Sequence, residues 1–283
     1  MSFKTPAEIA VAGVETGTTK AALSWDKALV AGFLAGAYIA FAGLLAVVTS
    51  AGMDPKLWGG VQTLVTGGVF TLGLVLVVVA GSELLTGNMA LVPLAVLGGR
   101  VTVGRLSFNL FWVLIGNLIG SLFVAYFLAK ETGVITAPAP LARLTAIATT
   151  KEVTESDWQI FLRAVGCNWL VCLAVWMALG AEDIAGKVLA IFFPIMAFVA
   201  MGFDHVVANM FFLPAAIFAH VPGVDWGDTL KNWVFAFLGN FFGAVIFVAT
   251  TYWYLYIKDA PVEEPAAGGV ATGPAAVDRR SAA

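Results

Sequence analysis

The sequence predicts an all-helical integral membrane protein: a bundle of six spans, built as an inverted repeat, with one broken helix in each half. Three observations predict it. The 283-residue chain is 60% hydrophobic and only 12% charged, with a mean hydropathy of +0.92, whereas a soluble domain carries about 25% charge. The apolar residues come in long runs, and a bilayer span needs roughly 20 of them. Two of those runs are interrupted by polar clusters at corresponding places in the two halves: Gly81-Ser82-Glu83-Leu84-Leu85-Thr86-Gly87-Asn88 and Gly202-Phe203-Asp204-His205-Val206-Val207-Ala208-Asn209. Paired interruptions of this kind point to a substrate site near the bilayer midplane.

The elements follow in order. Met1 to Trp25 has lysines and carboxylates and no compact apolar core of a signal peptide, and within it Thr5 to Leu23 alternates small apolar and polar residues. It suits a short helix on the membrane surface, so residues 1–27 read as an N-terminal segment. Ala28 to Ala51 is an uncharged first span. Gly59 to Gly99 carries one charge, Glu83. As a continuous helix it would be about 60 Å long, twice the hydrocarbon thickness. It must therefore bend, break or re-enter, with 81–88 as the natural break and Pro93 as a second one. Leu106 to Ala129 is an uncharged third span, and 130–158 a connector. Gln159 to Gly180, holding only Arg163, is the fourth. Val188 to Ala219 holds only Asp204 and His205, with Pro194, Gly202 and Pro214 as candidate kinks. Asn232 to Ile257 is the uncharged sixth. The stretch from Pro261, rich in Ala, Gly and Pro, reads as disordered. The transport domain is thus 28–258 and the tail 259–283.

Each interruption is followed by a further landmark, Gly116-Asn117-Leu118-Ile119-Gly120 and Gly239-Asn240-Phe241-Phe242-Gly243. Three spans per half is an odd number, so two similar halves insert in opposite directions about an axis in the membrane plane. Neither half buries its polar break alone, which makes one domain. The 30 glycines suit helices packed at close range.

With the N-terminus inside, the inner basic residues are Lys4, Lys20, Lys27, Arg100, Arg105, Lys187, Lys258, Arg279 and Arg280. The outer ones are Lys56, Lys130, Arg143, Lys151, Arg163 and Lys231. That bias places both termini in the cytoplasm. No basic patch with interleaved aromatics is present, which argues against nucleic acid. Cys167 and Cys172 fall on different faces of one helix and do not suit a mutual disulfide. Two Cys and two His support no multi-ligand metal site, and no cofactor motif is visible.

His205 is the foremost candidate. It is either a buried neutral histidine satisfied by one hydrogen bond, or a pore donor or proton partner for a small anion. An ionisable group inside a membrane segment favours the second. Thr86 either bonds its own backbone or offers its hydroxyl at the break. Asn88 and Asn209 suit backbone groups freed by the interruptions. Glu83 and Asp204 suit helix ends or neighbouring basic residues. Asn168 bonds across helices, or holds His205 or a carbonyl of a broken segment. Phe70, Leu74, Leu84, Leu85, Val171 and Phe198 are core or lipid-facing residues, or narrow a pore; periodicity does not separate these readings.

At these residues the chain resembles the formate/nitrite transporter family, from Lys27 to Ile257. The run Val79 to Gly87 resembles the family's first motif, with Leu85 where Phe or Ile is usual. Ala164-Val165-Gly166-Cys167-Asn168-Trp169-Leu170-Val171-Cys172-Leu173-Ala174 resembles the second. Gly202 to Met210 resembles the histidine motif, with Asp204 where Glu is common. The resemblance implies an aquaporin-like protomer assembled as a homopentamer in the bacterial inner membrane, with one pore per protomer. It implies pore roles for His205, Thr86 and Asn168, beside which Asn209 completes the candidate substrate-pore set, and constrictions near Leu74, Leu84, Leu85 and Phe198. A vestibule lysine of the family falls on Glu152 by ungapped counting, or on Lys151 with a one-residue shift. The implied function is pH-dependent passage of a small anion with proton sharing at the histidine. Formate comes first, then nitrite, then hydrosulfide. A membrane-embedded enzyme using His205 with Glu83 or Asp204 lacks a recognisable nucleophile or cofactor motif.

Overall fold

A computed structural model describes residues 3–259, so the tail expected to be disordered falls, from residue 260 onward, outside the described residues. The helices are α1 (Pro6–Ala21), α2 (Trp25–Ser50), α3 (Gly60–Gly81), α4 (Leu85–Leu97), α5 (Val103–Lys130), α6 (Pro138–Thr149), α7 (Asp157–Gly180), α8 (Ile184–Ala200), α9 (Val206–Phe218) and α10 (Trp226–Tyr256). One helical turn, Pro55–Trp58, leads into α3. Helices α2, α3, α5, α7 and α10 are each long and apolar enough to cross a membrane; α4, α8 and α9 are apolar but shorter.

Packing direction gives the number of passages. Gly32 of α2 lies against Val113 and Gly116 of α5, and Gly36, one turn on, lies against Asn117. The two helices therefore run parallel, and α3 with α4 makes a single broken passage between them. Likewise Gly239 of α10 lies against Phe161 of α7, and Gly243 against Val165. These helices are also parallel, so α8 with α9 makes the other broken passage. The total is six, as the hydropathy predicts.

The glycines of the two Gly-Asn landmarks are what allow this approach. A Cβ on Gly120 would fall 2.0 Å from the Phe33 carbonyl oxygen, and one on Gly36 would fall 2.0 Å from that of Asn117. In the second half, a Cβ on Gly239 or Gly243 would fall 2.3 Å from the carbonyl of Phe161 or Val165. Backbone contact at this range excludes any side chain.

Both breaks occur at a glycine in the left-handed region, Gly81 (φ 84°) and Gly202 (φ 72°), where a Cβ is costly. The prolines do not make the breaks. Pro93, Pro194 and Pro214 lie inside α4, α8 and α9, which continue through them. Neighbouring helices make such prolines tolerable at membrane depth.

The N-terminal segment forms a helix, α1, opened by a capping box between Thr5 and Glu8. Its small-residue face is turned onto α4: a Cβ on Gly17 would fall 2.0 Å from the Leu91 carbonyl oxygen. That docking brings Lys20, at the end of α1, into the first break.

Candidate functional site

The two breaks are held by the same side-chain network, built twice. In the first half the Leu85 N–H donates to Asn117 Oδ1 at 2.9 Å, while Asn117 Nδ2 donates to the carbonyls of Gly32 and Glu83. In the second, the Val206 N–H donates to Asn240 Oδ1 at 2.9 Å, and Asn240 Nδ2 donates to the carbonyls of Ala164 and Asp204. One buried amide thus satisfies the donor and acceptor that each interruption frees.

An ion pair and two more asparagines complete each copy. Lys20 Nζ lies 2.8 Å from Glu83; Asn88 donates to Glu83 and to Asn109, and Asn109 donates to the Lys20 carbonyl. Lys151 pairs with Asp204; Asn209 donates to Asp204 and to Asn232, and Asn232 donates to the Lys151 carbonyl. Asn88 and Asn209 therefore orient carboxylates and do not cap backbone; that task falls to Asn117 and Asn240. The sequence displays these last two as landmarks without disclosing the role.

The copies differ at the centre. Leu84 precedes the first residue of α4, and His205 occupies the matching place before α9. Thr86 Oγ1 lies 2.8 Å from His205 Nε2, and both residues are buried. The Ala208 N–H donates to His205 Nδ1 at 3.1 Å. With Nδ1 accepting, a neutral imidazole carries its proton on Nε2 and donates it to Thr86. The Thr86 hydroxyl proton is then free for another acceptor. Phe198 stacks on the imidazole with ring centroids 5.9 Å apart. Asn168 donates to the carbonyls of Thr86 and Asn240 at 3.2 and 2.9 Å, so it fixes the threonine from behind.

Two cavities approach this centre and share no lining residue. One, about 560 Å³, is lined by Lys20, Glu83, Leu74, Leu84 and Asn88 among others. The other, about 300 Å³, is lined by Phe70, Phe198, Phe212, His205, Asn209, Lys151, Glu155, Arg143 and Arg163 among others. Leu74 and Leu84 thus bound one cavity and Phe198 the other, beside Phe70, with the Thr86–His205 pair between them.

Four of the expected site residues line neither cavity; one is Thr86, which is fully buried against His205. Leu85 lines neither cavity and is fully buried, because it follows Leu84 by one helical position and points into the core. Asn168 lines neither cavity. Glu152 turns away, accepting from the Asp225 N–H and the Thr229 hydroxyl, while the adjacent Lys151 faces the cavity. Of the two candidates for the vestibule position, Lys151 lines this cavity and Glu152 does not.

Arg143, Arg163 and Glu155 were not legible as site residues. Glu155 pairs with Arg163, and among the described residues its second carboxylate oxygen is buried without a hydrogen-bond partner, as is one oxygen of Asp204. Burial, and next the Asp204 carboxylate, push the Glu155 carboxyl up to about 7.

Comparison with known proteins bears on this arrangement. Residues 7–254 match the family model described as formate/nitrite transporter. The probable formate transporter of Methanothermobacter thermautotrophicus is 48% identical, over 91% of this chain and 99% of that one. The nitrite transporter NirC of Salmonella typhimurium is 36% identical, over 82% of this chain and 83% of its own. A solved structure of a pentameric formate channel with formate bound superimposes with a TM-score of 0.72 at 30% identity, covering 82% of this chain and 97% of that one.

Proposed function

Since the chain belongs to the formate/nitrite transporter family, whose members are membrane transporters and channels and not enzymes, we propose that it carries formate across the membrane together with a proton. The observation that carries the reading is the buried Thr86–His205 hydrogen bond between two cavities lined by cations and apolar rings. Formate is favoured over nitrite by the higher identity to the probable formate transporter. By analogy with the pentameric formate channel, five copies assemble, each with its own pore. The membrane is the cytoplasmic membrane of a bacterium, and the Lys and Arg bias puts α1 and its cavity on the cytoplasmic side. The Lys151 cavity then faces outward.

The obstacle is an anion meeting apolar walls. Desolvating a bare charge costs several kcal/mol even after relaxation. The His205 Nε2–H polarises the Thr86 hydroxyl, which donates its own proton in a hydrogen bond to a carboxylate oxygen. Formate that takes up one proton from the outer water becomes formic acid, passes Phe198, Leu74 and Leu84 uncharged, and releases the proton on the far side. Neutrality lowers the desolvation cost of that crossing.

Isotope flux into proteoliposomes tests this. We expect formate flux that rises as the source side is acidified, with nitrite slower. Full charge movement at every pH would sink the proton-coupled version. Nitrite flux exceeding formate would reverse the substrate order.

A further inference from the structure

We infer that Arg143 forms an anion-binding station in the Lys151 cavity, built for a small planar oxyanion and set ahead of the Phe70–Phe198 constriction. The inference deepens the transport reading and rests on it. Three cations line this cavity: Arg143, Lys151 and Arg163. Lys151 is neutralised by Asp204 and, above about pH 7, Arg163 by Glu155. Among the described residues Arg143 has no carboxylate within ion-pair distance, so the surplus positive charge resides on it.

What holds Arg143 is neutral. Its Nε donates to Ser50 Oγ at 2.9 Å and its Nη2 to Thr66 Oγ1 at 3.3 Å. Both hydroxyl protons are already committed, Ser50 to the Ala46 carbonyl and Thr66 to that of Gln62, each at 2.7 Å. The two oxygens therefore meet the guanidinium as acceptors only, fixing its plane without cancelling its charge. Burial pushes the guanidinium's pKa down, and no acidic neighbour opposes that shift.

A guanidinium has five N–H donors. With two used, the Nη1 edge makes no hydrogen bond among the described residues, on a side chain that lines the cavity. A free guanidinium edge matches two oxygens of one carboxylate or nitrite in a planar, bidentate fashion. A spherical halide or hydrosulfide satisfies only one donor direction. Arg143 thus concentrates planar oxyanions where the remaining charges cancel.

The test compares Arg143→Gln and Arg143→Lys with wild type in proteoliposomes, reading formate flux against formate concentration at fixed pH. For Arg143→Gln we expect the half-saturating concentration to rise about tenfold with maximal flux within twofold. For Arg143→Lys, which keeps charge and loses the fork, we expect about a threefold rise and weaker discrimination of nitrite against chloride as competitors. Unchanged half-saturation in either variant overturns the inference; so does lost maximal flux with half-saturation unchanged. Should Arg143→Gln fail to assemble, Arg143→Lys decides by the same criterion.

A wild-type protein that moves neither formate nor nitrite would defeat the transport reading separately. The station is then judged by line broadening of ¹³C-formate on the solubilised protein. Broadening that is lost in Arg143→Gln and kept in His205→Phe supports it, and equal broadening in both overturns it.

Discussion

At the residue scale, the proposed centre is one hydroxyl set against one imidazole, both buried. His205 and Thr86 stand out because each is a polar residue in an otherwise apolar segment, and the structure brings them together across the two breaks. Arg143 and Glu155 could not be found this way. They lie in a connector of ordinary polar composition, where a charge reads as solvated, and only the packing of α6 against α2 and α9 makes it a cavity wall. Thr86→Val removes the hydroxyl at nearly constant shape; formate flux should fall at least tenfold while the melting temperature drops by only a few degrees, since one hydrogen bond is worth about 1 kcal/mol. His205→Phe should abolish flux in a protein that still assembles, and wild-type flux would remove histidine from the mechanism. Lys151→Ala leaves Asp204 buried without its partner, a change that costs about 3–5 kcal/mol, and should impair both flux and stability. Glu152→Ala, away from the cavity, should leave flux within twofold.

At the element scale, the breaks were placed correctly by glycine and misplaced by proline. A glycine needed at positive φ has no substitute, whereas a proline within a membrane helix only displaces one hydrogen bond that neighbours repair. The Gly-Asn landmarks were visible, but their meaning needed the partner helix: parallel α2 and α5 touch through backbone. Gly36→Ala should therefore be ruinous, its Cβ meeting the Asn117 carbonyl oxygen at 2.0 Å, while Gly68→Ala should be tolerated, its nearest neighbour being a Phe192 ring atom at 3.9 Å. Yield of folded protein after gel filtration compares the two. Equal yields would mean that α2 and α5 are not pinned at that point.

At the scale of the whole molecule, the Lys151 cavity carries a pH-sensitive group of its own, Glu155. Glu155, raised to about 7, is charged above that pH and cancels Arg163; below it, the carboxyl is neutral and the Arg163 charge is released. Acidification from pH 8 to 6 should thus raise the anion affinity of the cavity, and Glu155→Gln should flatten that component. The folded protein holds a proton on Glu155 that the unfolded chain gives up above its ordinary carboxylate range. That contribution to stability is present at low pH and lost as pH rises through about 7. Glu155→Gln, which never ionises, should therefore gain melting temperature relative to wild type above pH 7 and not below pH 4. A constant difference across that range would show that Glu155 keeps its charge in the fold.

The late arrival of the two capping asparagines has a consequence for how the chain is made. Leu85 leaves the ribosome 32 residues before Asn117, the side chain that takes up its N–H. At about 5–20 residues per second, the first interruption waits roughly 2–6 s in the translocation machinery with that donor unmet. The second interruption waits as long, for Asn240 follows Val206 by 34 residues. Each half is thus unable to settle in lipid until its own last helix has been synthesised, and synthesis is when the chain is most exposed to quality-control proteases. Asn117→Leu should accordingly lower the amount of protein reaching the membrane more steeply than it lowers the heat resistance of the copies that arrive.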